Sequence, residues 1–140
     1  MMDLQIITPE KVVYEGEISE LYIKTADGPL GIFPHHINLF SKLVPGELKI
    51  KISGREEFMA LTSGFMEINN NKITVLADYA VPAEEIQIEK AMEAKKRAEE
   101  ILKKKESQMD EREFAAAQAE LAKAIIELQV ANRKRKRSLQ

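Results

Sequence analysis

The spacing of apolar residues changes period once along this 140-residue chain, and that change predicts a β + α protein. An N-terminal β-sandwich is expected to be followed by a C-terminal antiparallel α-helical hairpin. Two further observations support the division. Glycine, proline and asparagine turn signals crowd the first part, whereas no glycine or proline occurs from Glu84 to Gln140. The boundary is therefore set after Pro82, giving a sandwich over residues 1–83 and a helical unit over 84–140.

Within the first unit the strands alternate. "ELKIKIS" puts Leu48, Ile50 and Ile52 on one face and Lys49 and Lys51 on the other. "EFMALTS" places Phe58, Ala60 and Thr62 on one side, "KITVLAD" does the same with Ile73, Val75 and Ala77, and "ISELYIKT" turns Leu21 and Ile23 inward. Asp27-Gly28, Pro45-Gly46, Ser53-Gly54, Ser63-Gly64 and the Asn69–Asn71 run read as turns. Closely spaced strands with one apolar face indicate a sandwich or a flattened barrel.

The second unit opens with Glu84 and Glu85, whose charge suits a first helical turn. A first helix is expected to run to about Ser107, with Ile88, Met92, Ala98, Ile101 and Leu102 as its apolar positions. Glu93–Arg97, Glu99–Lys103 and Glu100–Lys104 are i,i+4 pairs in the favourable order. Asp110 and Glu113 form a capping-box pattern that starts a second helix, with Phe114, Leu121, Ile125 and Leu128 on one stripe. The seam between the helices rests on Ala94, Ala98, Ala117 and Ala124, each burying little area at about 25 cal/mol per Å². Such a hairpin is expected to open at modest cost.

Composition narrows the function. Apolar residues make up 44% and no run approaches the length of a membrane span. The N-terminus lacks a basic then apolar segment, so no secretory signal is expected and a cytosolic setting is the default. There is no cysteine, which excludes disulfides, thiolate nucleophiles and Cys-ligated zinc. His35 and His36 are the only histidines; adjacent in an extended chain they point oppositely, and no third ligand of that type completes a metal shell. No nucleophile motif accompanies them, so neither a catalytic nor a metal site is expected. Net charge is −2, with the basic character confined to Arg133, Lys134, Arg135, Lys136 and Arg137. That run alone would suit nucleic acid or anionic lipid, or simply a solvated helix end. It lacks interleaved aromatics and the rest of the chain is acidic, so nucleic acid is not expected as a partner.

Longer segments carry a resemblance. "DGPLGIFPHHINLF", "LTSGFMEINNNKITVLAD", "KAMEAKKRAEEIL" and "FAAAQAELAKAIIEL" occur in the order found in the epsilon subunit of bacterial F-type ATP synthase, and together they span nearly the whole chain. The resemblance implies a ten-stranded β-sandwich with a two-helix domain, and a non-catalytic role on the central rotor stalk. It implies a peripheral position at the cytoplasmic face of the cell membrane, held there through the complex. Partners would be the gamma subunit and the c-subunit ring, with the alpha and beta subunits engaged when the helices extend to restrain ATP hydrolysis. His36 then matches a residue facing gamma, and Asp27, Gly28 and Pro29 match the loop facing the c-ring. Pro29 stands where the family often has a carboxylate, so a charged contact there is not carried over. Arg133 to Arg137 would meet an acidic loop of a beta subunit. Some members bind ATP through an Ile/Leu-Asp-x-x-Arg-Ala motif, which reads here Ile86-Gln87-Ile88-Glu89-Lys90-Ala91. Gln87 replaces the acid and Lys90 the arginine, and lysine loses the planar bidentate geometry. Lys123 is the only other cation in the middle of the second helix. No cofactor is expected, with weak ATP binding as the alternative to an ordinary helix surface.

Overall fold

The computed structural model describes residues 1–104 and 109–138, the last five of these by backbone alone. Ten strands form first: β1 (Met2–Ile7), β2 (Val12–Ile18), β3 (Glu20–Thr25), β4 (Gly28–Ile32), β5 (Leu39–Leu43), β6 (Gly46–Ile52), β7 (Arg55–Leu61), β8 (Gly64–Asn69), β9 (Lys72–Ala77) and β10 (Ala80–Pro82). A single 3-10 turn at Ala83–Glu85 leads to α1 (Ile88–Leu102) and α2 (Glu111–Ser138). Both the ten-stranded sandwich and the two-helix domain are therefore present.

The strands run β10-β7-β6-β3-β5-β8-β9-β1-β2, with β4 added to β3. Only Thr25 and Leu43 pair β3 with β5, so the sheet hinges there into two layers. Inward residues of both layers meet in one core that includes Leu4, Ile6, Leu21, Ile32, Leu48, Ile50, Met66, Ile68, Ile73 and Val75, all essentially sealed from solvent. The expected inward faces of β3, β6 and β9 are thus found. Two-residue turns with left-handed backbone close the hairpins: Ser53 and Gly54 between β6 and β7, and Asn70 and Asn71 between β8 and β9.

Strand β7 departs from simple alternation. Phe58, Met59, Ala60 and Leu61 are all buried. Met59 and Leu61 enter the sandwich core, whereas Phe58 and Ala60 face outward beneath α2, in a second cluster with Val81, Ala83 and Val130. The side of β7 that carries Phe58 and Ala60 is therefore the docking face for the helices. Helix α2 makes that contact; α1 lies on α2 as an outer layer.

The helical unit corrects the sequence expectations in four places. The chain takes a 3-10 turn at Glu84 and Glu85, and α1 begins only at Ile88. Ile88 and Met92, expected on the apolar side, are 42% and 57% exposed; the seam contains Ala98, Ala117 and Ala124 as expected, with Ala91 buried there where Ala94 was expected. Arg97 reaches across the seam to Glu120 at 2.8 Å, the partner the structure gives it in place of Glu93. The cap is as expected: the Glu113 backbone N–H donates to Asp110 Oδ1 at 2.8 Å. Helix α1 ends at Leu102, capped by Lys103, about five residues before the expected end near Ser107. The Lys104 N–H turns back to the Ile101 carbonyl, a tightened last turn that stops the helix there.

Gly64, read above as a turn residue, opens β8 against β9. A β-carbon built there would meet the Leu76 carbonyl oxygen at 2.1 Å and Ala77 Cα at 2.8 Å, both backbone atoms that cannot swing aside. Replacing Gly64 by alanine should therefore destabilise the sandwich by about 1–3 kcal/mol, the usual cost of overpacking. Urea unfolding of the variant measures this; an unchanged midpoint contradicts it.

Candidate functional site

Among the described residues no group of three or more His, Asp or Glu side chains is placed to hold a metal ion. The functional features are surfaces, and they lie on different sides of the sandwich.

The first surface surrounds the segment that holds both histidines. His35 adopts a left-handed conformation (φ 67°) and its N–H donates to Asn71 Oδ1 at 2.9 Å. Asn38 Oδ1 accepts from the Asn70 N–H at 3.0 Å, so two asparagines fasten this loop to the β8–β9 turn. The His36 ring sits half-buried, its Nδ1 at 2.8 Å from the Ile37 carbonyl oxygen. Asp27, Gly28 and Pro29 occupy the opposite end of β4, with Gly28 at φ 120° and Pro29 paired with Lys24. Leu30, Gly31 and Ile32 of the strand separate the two segments, roughly 10 Å of extended chain, followed by Phe33 to His35 of the loop. His36 and the Asp27–Pro29 loop thus lie at separate places on the surface.

A stripe that the sequence reading missed runs across the outer face of the second layer. Phe65 pairs with Leu76, Leu76 with Ile7, and Ile7 with Val12, so four strands put an apolar residue in one row. Phe65, Leu76 and Val12 are each about half exposed, and Phe40 (67% exposed) stacks on Phe65 with centroids 5.6 Å apart. The signal was available: Phe65 and Leu76 fall on the solvent phase of strands whose other outward residues are polar. A row of exposed large apolar side chains is the signature of a docking face.

The hairpin covers the other layer. A cleft of about 400 Å³ opens between α1, α2 and Tyr79, and Gln87, Lys90 and Ala91 of the degraded motif line it, while Ile86 packs into the docking cluster. Three cations, Lys90, Arg97 and Lys123, share this cleft with Glu85, Glu120 and Glu127. Arg97 is bound to Glu120, and the Lys123 ammonium lies 3.8 Å from the centre of the Tyr79 ring. The Tyr79 hydroxyl donates to Glu127 Oε2 at 3.2 Å. Burial first, and then the Glu127 carboxylate, push the Tyr79 phenol up to about 12, so it remains a donor at any physiological pH. Charges here are balanced by design of the helix faces: Lys90, Ala94 and Arg97 share one face of α1, and Glu120, Lys123 and Glu127 the facing side of α2.

Of the basic run, Arg133 is described, and it pairs with Glu47 on β6 at 3.1 Å. The side chains of Lys134, Arg135, Lys136 and Arg137 lie outside the described residues. Glu47 and Pro29 line one cleft with Lys24 and Lys49, so the docked α2 brings the start of the basic run to the Pro29 end of the sandwich.

Comparison with known proteins agrees with this architecture. Residues 1–83 match the beta-sandwich domain model of the ATP synthase delta/epsilon chain, and residues 84–132 match its long alpha-helix domain. A Halorhodospira halophila protein named ATP synthase epsilon chain is 40% identical over 139 residues, covering 98% of this chain and 96% of the relative. The Desulforamulus reducens ATP synthase epsilon chain is 42% identical over 128 residues, covering 91% and 95%. Among solved structures, a chain of the Euglena gracilis mitochondrial ATP synthase (OSCP/F1/c-ring) has the same fold, with TM-score 0.72 at 22% identity over 85% of this chain and 74% of that one. A chain of the Tetrahymena thermophila mitochondrial ATP synthase central stalk and c-ring gives TM-score 0.59 at 19% identity over 93% and 96%. With both of its domains matched in order and relatives alike over nearly their full length, this chain belongs to the ATP synthase delta/epsilon chain family.

Proposed function

We propose that this chain is a non-catalytic rotor subunit of an ATP synthase, in which the sandwich anchors to the stalk and the hairpin acts as a detachable brake on ATP hydrolysis. The observation that carries this reading is the separation of two surfaces. An exposed apolar stripe lies on one layer, and a helical hairpin held by a small cluster lies on the other. The named relatives are epsilon chains, and the structural neighbours come from assemblies containing F1, a central stalk and a c-ring, which fits an anchor and a moving arm.

In this reading the stripe of Phe40, Phe65, Leu76 and Val12 meets the gamma subunit, and so does His36 beside the β8–β9 turn. Asp27, Gly28 and Pro29 meet the c-ring as a loop shaped by backbone rather than by charge. Together they set the chain at the cytoplasmic face of a bacterial membrane without entering it; no helix of the described residues is long and apolar enough to cross one. Arg133 to Arg137, on the extended arm, meet an acidic loop of a beta subunit. The cleft at Lys90 is a weak nucleotide site at most, because its cations already face three carboxylates and an aromatic ring.

Three outcomes are expected. Phe65→Ser should raise the Kd for gamma about tenfold or more, as truncation of a central apolar anchor does, and His36→Ala should raise it less. Titration of the two subunits measures both, and unchanged affinity for Phe65→Ser argues against the stripe as the gamma face. A chain ending at Asn132 should inhibit the ATPase of the assembled enzyme less than the full chain at low ionic strength; equal inhibition rejects the basic run as the braking element. Calorimetry with ATP should give no saturation in the micromolar range, and micromolar binding would overturn the view of the cleft as self-neutralised.

A further inference from the structure

Beyond its contacts with Tyr79, helix α2 meets the sandwich near its end through two neighbouring contacts of different kinds. Val130, fully buried, sits in the cluster of Phe58, Ala60, Val81 and Ala83. One turn on, Arg133 places Nε at 3.1 Å from Glu47 Oε2, with its guanidinium carbon 5.8 Å from the centre of the Phe58 ring. Glu47 lies opposite Ala60 on the neighbouring strand, so the ion pair closes the rim of the apolar cluster. The Glu47 side chain is 19% exposed and that of Arg133 58%.

Two other cations face Glu47, Lys24 and Lys49. The Lys49 ammonium is engaged 4.4 Å from the Tyr22 ring centre, and the Lys24 stem packs against Gly46, the neighbour of Glu47, without forming an ion pair with it. Arg133 is the cation in direct contact with the carboxylate among the described ion pairs. Burial outweighs all three cations and holds the Glu47 carboxyl above the usual carboxylate range. A charge at this position therefore adds little to the sandwich itself. Its consequence falls on the helix that lands there.

Arg133 is also the first residue of the basic run. We propose that Glu47 latches the hairpin by capturing Arg133, so that docking of α2 on the sandwich and presentation of Arg133 to an acidic partner segment exclude one another. The latch is a property of the isolated chain, and only its consequence, a brake whose leading cation is masked at rest, rests on the function proposed above. Reciprocity follows: whatever binds the freed basic run favours the detached hairpin, and whatever strengthens the latch weakens that binding.

The test uses the isolated full chain. The sequence has no cysteine, so Ala83→Cys supplies a single thiol beneath α2, and its labelling rate with a neutral thiol reagent reports how often the helix detaches. In this background Glu47→Gln and Arg133→Gln should each speed labelling about two- to fivefold, the range an ion pair half in solvent supports. The double variant should be no faster than either single one. Unchanged rates, or effects that simply multiply, would overturn the latch. Glu67→Gln, which removes the same charge from β8 outside the docking cluster, should leave the rate unchanged; an equal acceleration would mean general electrostatics and no latch. Glu47→Gln is expected to fold because burial already favours an uncharged group there, and thermal unfolding checks it. In the cysteine-free chain, a poly-glutamate peptide should bind the Glu47→Gln variant two- to fivefold more tightly than the Glu67→Gln variant. Equal affinities would refute the mutual exclusion. No ATPase measurement enters these tests, so a failed latch leaves the braking function to be judged separately.

Discussion

Strand β7 is the constraint on which the arrangement depends. Its four consecutive buried residues, Phe58 to Leu61, cover both faces of one strand, so a single element belongs to two cores at once. Met59 and Leu61 hold the strand in the sandwich, and that rigidity makes Phe58 and Ala60 a fixed landing place for α2. The landing place is small. From the helix it takes one sealed side chain, Val130, with Ile126 partly buried beside it. Burying a valine or isoleucine side chain is worth about 1.5–3 kcal/mol, so docking is stronger than solvent-exposed contacts and far weaker than the sandwich core. Two packings separated by a few kcal/mol are what a switching element requires.

Polar contacts refine this balance without dominating it. The Arg133–Glu47 pair and the Tyr79–Glu127 hydrogen bond both connect α2 to the sandwich, one at each side of the apolar cluster. Each is partly in solvent, so each supplies direction more than strength. The helix therefore docks in one register, and α1 follows because its alanine seam, with Arg97 and Glu120 across it, joins it to α2.

The two layers of the sandwich present different surfaces because of the hinge at Thr25 and Leu43. One layer turns its outward face to the helices. The other leaves a row of apolar residues in water, which a freely soluble sheet would replace with polar ones. In the cleft beneath the hairpin Arg97 is paired with Glu120 and Lys123 lies over the Tyr79 ring, so two of its three cations are already engaged within the chain. An exposed apolar row on one layer is consistent with a non-catalytic part of a larger assembly, as the named relatives are.

Much of this was legible in the residues. The change of period at Pro82, the alternation in β3, β6 and β9, the Asp110 cap and the alanine seam all follow from local rules, because period, capping and turn geometry act over a few residues. The stripe of Phe65 and Leu76 was written in the sequence as a broken alternation, although nothing local says that strands β8, β9, β1 and β2 align those residues in one row. That depends on the register of strands far apart in sequence. The tertiary structure alone decided which side of β7 faces the core, since an alternating strand shows two phases and only its neighbours determine which lies inward. It likewise decided that Ile88 and Met92 face water and that Arg133 finds Glu47, 86 positions earlier in the chain, because such contacts form where helix and sheet meet in space.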